Sequence, residues 1–225
     1  MAELVKETLE QIPLFLNNFA KIVSQPVAFA REIFDKATAK TIGTTKLNES
    51  LIFFGVCLVV TCVLKASVFG LGASGPEGHA EMSTLYLAKD ALWKAFLVMA
   101  VAGVMRLSWR LVGGSAPYTK YVILNSYFFG VMYVVTHLIL LVATFAFGRP
   151  SVWSIVTTLG FVLLAFVPSV VWGLIAWKAY GEINSAPHRK SVLALLLLGL
   201  FSAPVVVFSY ALRFVLIGHV FRDFI

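Results

Sequence analysis

The chain is poor in charge, in cysteine and in histidine. Only 13% of its 225 residues are charged, against about 25% in a soluble domain. Hydrophobic residues make up 60% and mean hydropathy is +0.89. Those values exclude an ordinary soluble domain. A net charge of +7 can mark a nucleic-acid binder, but here the basic residues sit mainly at the ends of apolar segments. There they meet lipid headgroups and set topology, so no nucleic-acid partner is expected. The two cysteines, Cys57 and Cys62, would stand about 140° apart on a helix and cannot pair with each other there. They read as small apolar-like side chains. The four histidines, His79, His137, His188 and His219, are scattered, and no two have metal-ligand spacing on one helix. Phosphate loops, nucleophile elbows and redox pairs are missing as well. No catalytic, cofactor-binding or metal-binding residue is expected, and no cofactor. A cleavable leader is not expected either, because Glu3, Glu7, Glu10 and Pro13 interrupt the opening stretch.

What the chain does have is long apolar runs. The pattern predicts an all-α, polytopic membrane helical bundle with five transmembrane helices, preceded by amphipathic interfacial helices. Residues 1–50 form the cytoplasmic amphipathic part. Pro26 stands at a first helical position, and Val27, Ala30, Phe34 and Ala37 then recur at helical spacing. That face can lie on the bilayer or pack as a lid on the spans. Residues 51–216 hold the membrane domain, with spans near 51–72, 87–107, 121–147, 152–177 and 191–212. Asn48 or Ser50 can cap the first. The third would be about 40 Å long at 1.5 Å per residue, so it tilts or protrudes. Tyr86, Trp93 and Trp109 stand at the ends of the second span, where aromatic belts are expected, and Trp172 and Trp177 close the fourth. Residues 213–225 read as a short amphipathic C-terminal tail.

Lysine and arginine set the orientation. Lys6, Lys21, Arg31, Lys36, Lys40 and Lys46 precede the first span. Arg106, Arg110 and Lys120 fill the second-to-third joint, and Lys178, Arg189 and Lys190 the fourth-to-fifth loop. Those twelve face six on the other side: Lys65, Lys89, Lys94, Arg149, Arg213 and Arg222. The N-terminus is therefore expected in the cytoplasm and the C-terminus outside. Arg106, Arg110 and Lys120 are candidate partner- or lipid-binding residues, or simple topology anchors. Lys65, Asp90, Lys94 and His137 are a candidate intramembrane polar site. Asp90 and Lys94, four apart, share a helix face and can pair. An ionisable group at membrane depth is a functional candidate by default. His137 can equally be a neutral imidazole bonded to Thr136, Asn125 or a backbone carbonyl. Gly113, Gly114, Pro168 and Pro204 are candidate hinges or bundle-shaping residues.

The layout resembles the Yip-domain family of integral membrane proteins. The resemblance rests on the Pro-then-Phe helix from Gln25 to Phe34, and on Gly113, Gly114 and Ser115 followed by Tyr121 and Tyr127. It rests also on the tryptophan-rich fourth span running from Trp172 into the polar loop WKAYGEINSAPHRKS. It covers residues 25–212. The long Pro/Gln-rich arm of eukaryotic members is missing, so the resemblance implies a prokaryotic-type member in the plasma (inner) membrane. It implies a non-enzymatic scaffold, accessory or assembly subunit in contact with lipid. Expected partners are membrane lipids and other membrane protein subunits, or a second copy of the chain. The competing expectation is a small transporter or lipid-handling permease subunit. It is motivated by His137, the two span prolines and the charges in the outer half.

Overall fold

The computed structural model describes residues 2–35, 44–70, 84–147 and 154–217. Among these, every regular element is helical. There are seven helices: α1 (Ala2–Ser24), α2 (Pro26–Asp35), α3 (Thr45–Gly70), α4 (Thr84–Leu111), α5 (Tyr118–Phe147), α6 (Ile155–Ile183) and α7 (His188–Ile217). Four of them carry stretches long and apolar enough to cross a membrane. These are Thr45–Ser67 in α3, Leu87–Leu111 in α4, all of α5, and His188–Val205 in α7. The fold is all-α and compatible with a multi-pass membrane protein.

Helix α5 is the hub. It packs on α3, α4 and α6, and α1 touches it too. Its contact with α3 is close because Gly130 has no side chain. A Cβ there would stand 3.1 Å from Cys57 Sγ and 3.2 Å from Cys57 Cβ. Around that crossing Tyr127 of α5 meets Phe53 of α3 at 5.0 Å and Phe29 of α2 edge-on at 4.9 Å. Helix α7 packs on α4, and α2 packs on α6, while α3 and α4 barely touch.

Several helix ends depart from the sequence expectation. Helix α2 does start at Pro26, as the spacing predicts, while α1 runs unbroken through Pro13. Helix α3 starts at Thr45, so neither Asn48 nor Ser50 caps it. The Asn48 backbone N–H donates to Thr44 O, and the Ser50 hydroxyl to Leu47 O. Polar residues at 45–50 continue the helix ahead of the apolar run because nothing in them breaks it. Helix α6 is capped by Ser154, whose hydroxyl accepts from the Thr157 backbone N–H at 3.1 Å. Pro168 and Pro204 lie inside unbroken helices, on exposed faces. Of the expected segments, Ala37 of the amphipathic face, residues 71–72 of the first span, 152–153 of the fourth and 218–225 of the C-terminal tail lie outside the described residues.

The tryptophans give a second correction. Trp109 is buried rather than facing outward in a belt, and Trp177 is buried beside it. They stack at 5.5 Å, and Trp177 Nε1 donates to Ser191 O at 3.1 Å. The reason is that two connecting joints meet over them.

Candidate functional site

The α4–α5 joint and the α6–α7 joint are built alike. Helix α4 ends with Gly113 at φ +86°. Gly113 N–H donates to Arg110 O at 3.1 Å and Gly114 N–H to Trp109 O at 2.8 Å. That pair of bonds is a Schellman closure, with a left-handed residue after the last helical turn. Helix α6 ends in the same way: Ser185 N–H donates to Glu182 O at 3.0 Å and Ala186 N–H to Gly181 O at 3.2 Å. The left-handed residue there is Ser185, at φ 49°.

Asn184 fastens the two joints together. Its Oδ1 accepts from the Ala116 backbone N–H at 3.2 Å and from the Tyr121 hydroxyl at 2.9 Å. Its Nδ2 donates to Tyr180 O at 2.7 Å. The Tyr180 hydroxyl donates to Asn125 Oδ1, and Asn125 Nδ2 donates to Val98 O at 3.3 Å. A buried amide–phenol chain thus ties α6 to α5 and α4. Gly114 makes room for it, since a Cβ there would fall 2.5 Å from Asn184 Oδ1 and 2.9 Å from Trp109 O. Gly113 and Gly114 therefore form the cap that ends helix α4.

The basic residues surround this clasp without clustering at one point. Arg106 and Arg110 are exposed on α4, one turn apart. Lys120 leans over the Phe34 ring of α2, 5.1 Å from its centroid. Lys178, Arg189 and Lys190 are exposed on the α6–α7 side. Helix α2 is held there by the ion pair Arg31–Glu182, and α1 by Trp172 Nε1 donating to Val23 O at 3.1 Å. The bond from Arg31 holds the Glu182 carboxyl below its ordinary value.

A second polar group lies further along the bundle. Asp90 Oδ2 is 2.8 Å from Lys94 Nζ and 3.3 Å from Lys65 Nζ. Asp90 and Lys94 are buried, at 2% and 5% exposure. Lys94 Nζ also lies 5.2 Å from the centre of the Tyr133 ring, a cation–π contact. His137 Nδ1 is bonded to the Tyr133 backbone carbonyl at 2.8 Å. Of its three expected partners it thus takes the backbone, while Asn125 serves the clasp. A cavity of about 390 Å³ is lined by Lys65, Asp90, Lys94, Tyr133 and His137 among others. The structure therefore brings all four residues of the expected intramembrane site together.

Sequence reasoning missed Asn184, Tyr180 and Tyr133. Asn125 carried a signal, as an amide within the longest apolar run. Asn184 carried a weaker one, standing at a helix end before Ser185. Among the described residues no group of three or more His, Cys, Asp or Glu could hold a metal ion.

Fold and sites together define an all-helical protein with four helices able to cross a membrane, a clasped polar end and an ion-paired cluster within the helices. No family model, no curated protein and no solved structure matches the chain.

Proposed function

We propose that the chain is a five-span, non-enzymatic membrane protein of the Yip-domain kind, acting as a scaffold or accessory subunit of a prokaryotic plasma-membrane complex. Helix α6 supplies the fifth crossing. It carries no charged residue from Ile155 to Trp177. Leu159, Leu163, Leu164, Val167 and Val171 on it are exposed, as lipid-facing residues are.

The observation that carries the subunit role is the clasped end. Two joints locked by Asn184, with α2 fixed over them, form a rigid basic platform bearing Arg106, Arg110, Lys178, Arg189 and Lys190. A platform held by buried hydrogen bonds keeps its shape before binding, which lowers the ordering cost of association. Its charge fits a partner with an acidic face. Purification in a mild detergent tests this. A stoichiometric membrane protein should accompany the wild type and be lost on charge reversal at Arg110 and Arg189. Purification of the wild type as a partner-free single species would overturn it.

A second reading, a lipid-handling permease subunit, is favoured by the polar cavity around Asp90. Flux across reconstituted vesicles would choose it over the scaffold; no flux of ions, lipids or small solutes would remove it.

A further inference from the structure

Helix α1 has more apolar surface than its packing uses. Phe15, Phe19 and Ile22 fall within about 60° of one another at 3.6 residues per turn, and they pack on the core. Ile12, Leu16 and Val23 form a second row within about 40°, and they are 46%, 58% and 40% exposed. Asn17, Lys21 and Ser24 make a polar face about 130° round from that row. Leu14 is exposed too, but it falls beside Lys21 on the polar side. Helix α1 thus carries one face for the bundle, one polar face and one that is apolar and exposed.

Its contacts fix how it lies. The Phe15 ring is 4.9 Å from Phe53 of α3, which is 5.0 Å from Tyr127 of α5. Towards the other end of α1, the Val23 carbonyl accepts from Trp172 Nε1 of α6, and the Trp172 ring meets Phe128 of α5 at 5.5 Å. Tyr127 and Phe128 are neighbours, so Phe15 and Val23 stand at one level of the bundle. Helix α1 therefore runs across the other helices, not along them. At 1.5 Å per residue, that level is about 6 Å past Glu49 on α3, about 10 Å past Lys120 on α5 and about 9 Å short of Lys178 on α6. It lies just inside the charged ends on the clasped side. An amphipathic helix in a membrane interface sinks its apolar face about 5–10 Å into the headgroup and acyl boundary. At the same level α3 exposes Ile52 and Val56, on either side of Phe53. The apolar face of α2 is not free for lipid, since Phe29, Ala30 and Ile33 are buried. We propose that α1 lies in the membrane plane, half-sunk in the leaflet on the clasped side. Ile12, Leu16 and Val23 are its contact surface for lipid acyl chains, and Asn17, Lys21 and Ser24 turn to water.

This inference rests on the membrane reading and not on the partner platform, and a reference position separates the two kinds of failure. The full chain, with Cys57→Ala and Cys62→Ala, carries one nitroxide-labelled cysteine at a time: Ile12→Cys, Leu16→Cys, Asn17→Cys, Val23→Cys or Ser24→Cys. Val142→Cys, on an exposed face of α5, is the reference. In vesicles of phosphatidylcholine and phosphatidylglycerol, collision with dissolved oxygen and with a water-soluble nickel chelate gives the depth of each label. Ile12→Cys, Leu16→Cys and Val23→Cys should favour oxygen and lie about 5–10 Å deep, while Asn17→Cys and Ser24→Cys should favour nickel. Adding Leu16→Asp should bring the label of Val23→Cys out to the nickel side. A row that favours nickel while the reference favours oxygen would overturn the inference alone. A row shielded from both would mean a protein cover and would overturn it too. A reference that favours nickel would overturn the membrane reading and this inference with it. If the chain without its native cysteines does not fold, benzoylphenylalanine in place of Leu16 in the otherwise native chain serves instead. Photolysis in the same vesicles should give lipid adducts by mass spectrometry, and adducts to protein alone would overturn the assignment.

Discussion

Ser185 and Gly113 occupy the same place in two copies of one helix ending, and only one of them is glycine. A side chain in the left-handed region costs about 1–2 kcal/mol, while glycine loses roughly 0.5–1 kcal/mol more entropy on ordering. Ser185 is exposed and its side chain packs nothing that glycine would forfeit. Ser185→Gly should therefore raise stability by about 0.5 kcal/mol, seen as a higher midpoint in a detergent melt. Gly114 predicts the reverse. Its missing Cβ is what admits Asn184 Oδ1, and one of the crowding atoms is the Trp109 backbone carbonyl, which cannot swing aside. Gly114→Ala should destabilise by about 1–3 kcal/mol, as overpacking does. An alanine variant that melts with the wild type would show that the clasp is looser than its geometry. The two sites also mark how far residues alone could be read. Asp90 and Lys94 were legible because charge in an apolar run stands out and their spacing defines one helix face. Asn184, Tyr180 and Tyr133 were not, because neutral polar groups at a helix end or mid-span look the same whether they meet water, lipid or each other.

At the scale of elements, hydropathy located the apolar helices well, since burying backbone in lipid demands long uninterrupted helices. Helix ends were harder. Trp109 read as a belt residue, because a tryptophan at a span end suits a headgroup or a protein clasp equally. The amphipathic period of residues 26–35 gave a helix but left its covering open; the structure packs α2 on α6. That packing carries a pH dependence. The bond from Arg31 lowers the Glu182 carboxyl below its ordinary value of 4.5. A carboxyl with a depressed folded-state value contributes stability that is fully present above the unfolded value. That contribution fades as pH falls through the lower, folded one. Both side chains are largely exposed, at 57% and 42%, so solvent screens the pair and its share is small. The protection of α2 amides, corrected for their intrinsic exchange, should therefore be constant from neutral pH to about 5 and fall below 4.5. Glu182→Gln should give the acid-side protection at every pH. If the wild-type profile stays flat below pH 4, Phe29 on Tyr127 and Phe34 under Lys120 hold α2 without help from the ion pair.

At the scale of the molecule, the clasp bears on topology. Asn184, at the end of α6, bonds to Ala116 and Tyr121 at the start of α5. Helix α6 therefore ends beside the start of α5. Its 29 residues reach about 44 Å at 1.5 Å each, enough to pass the about 30 Å of a hydrocarbon core. If α3, α4, α5 and α7 cross a membrane, α6 running beside α5 crosses with them. An odd number of crossings puts the two ends of the chain on opposite faces; four would put them together. On the proposed five crossings, the twelve lysines and arginines that the sequence counts on one side, against six on the other, would place the clasp in the cytoplasm. A compartment-sensitive reporter after Ile225 should be active only when matched to the outer side, and one within residues 187–190 only to the cytoplasm. Reversing Arg106, Arg110 and Lys120 together should weaken that bias without disturbing the clasp, whose bonds use none of the three. Cytoplasmic activity after Ile225 would leave an even number of crossings and remove α6 from the membrane. It would also leave the apolar row of Leu159, Leu163 and Val167 to be covered by protein rather than lipid.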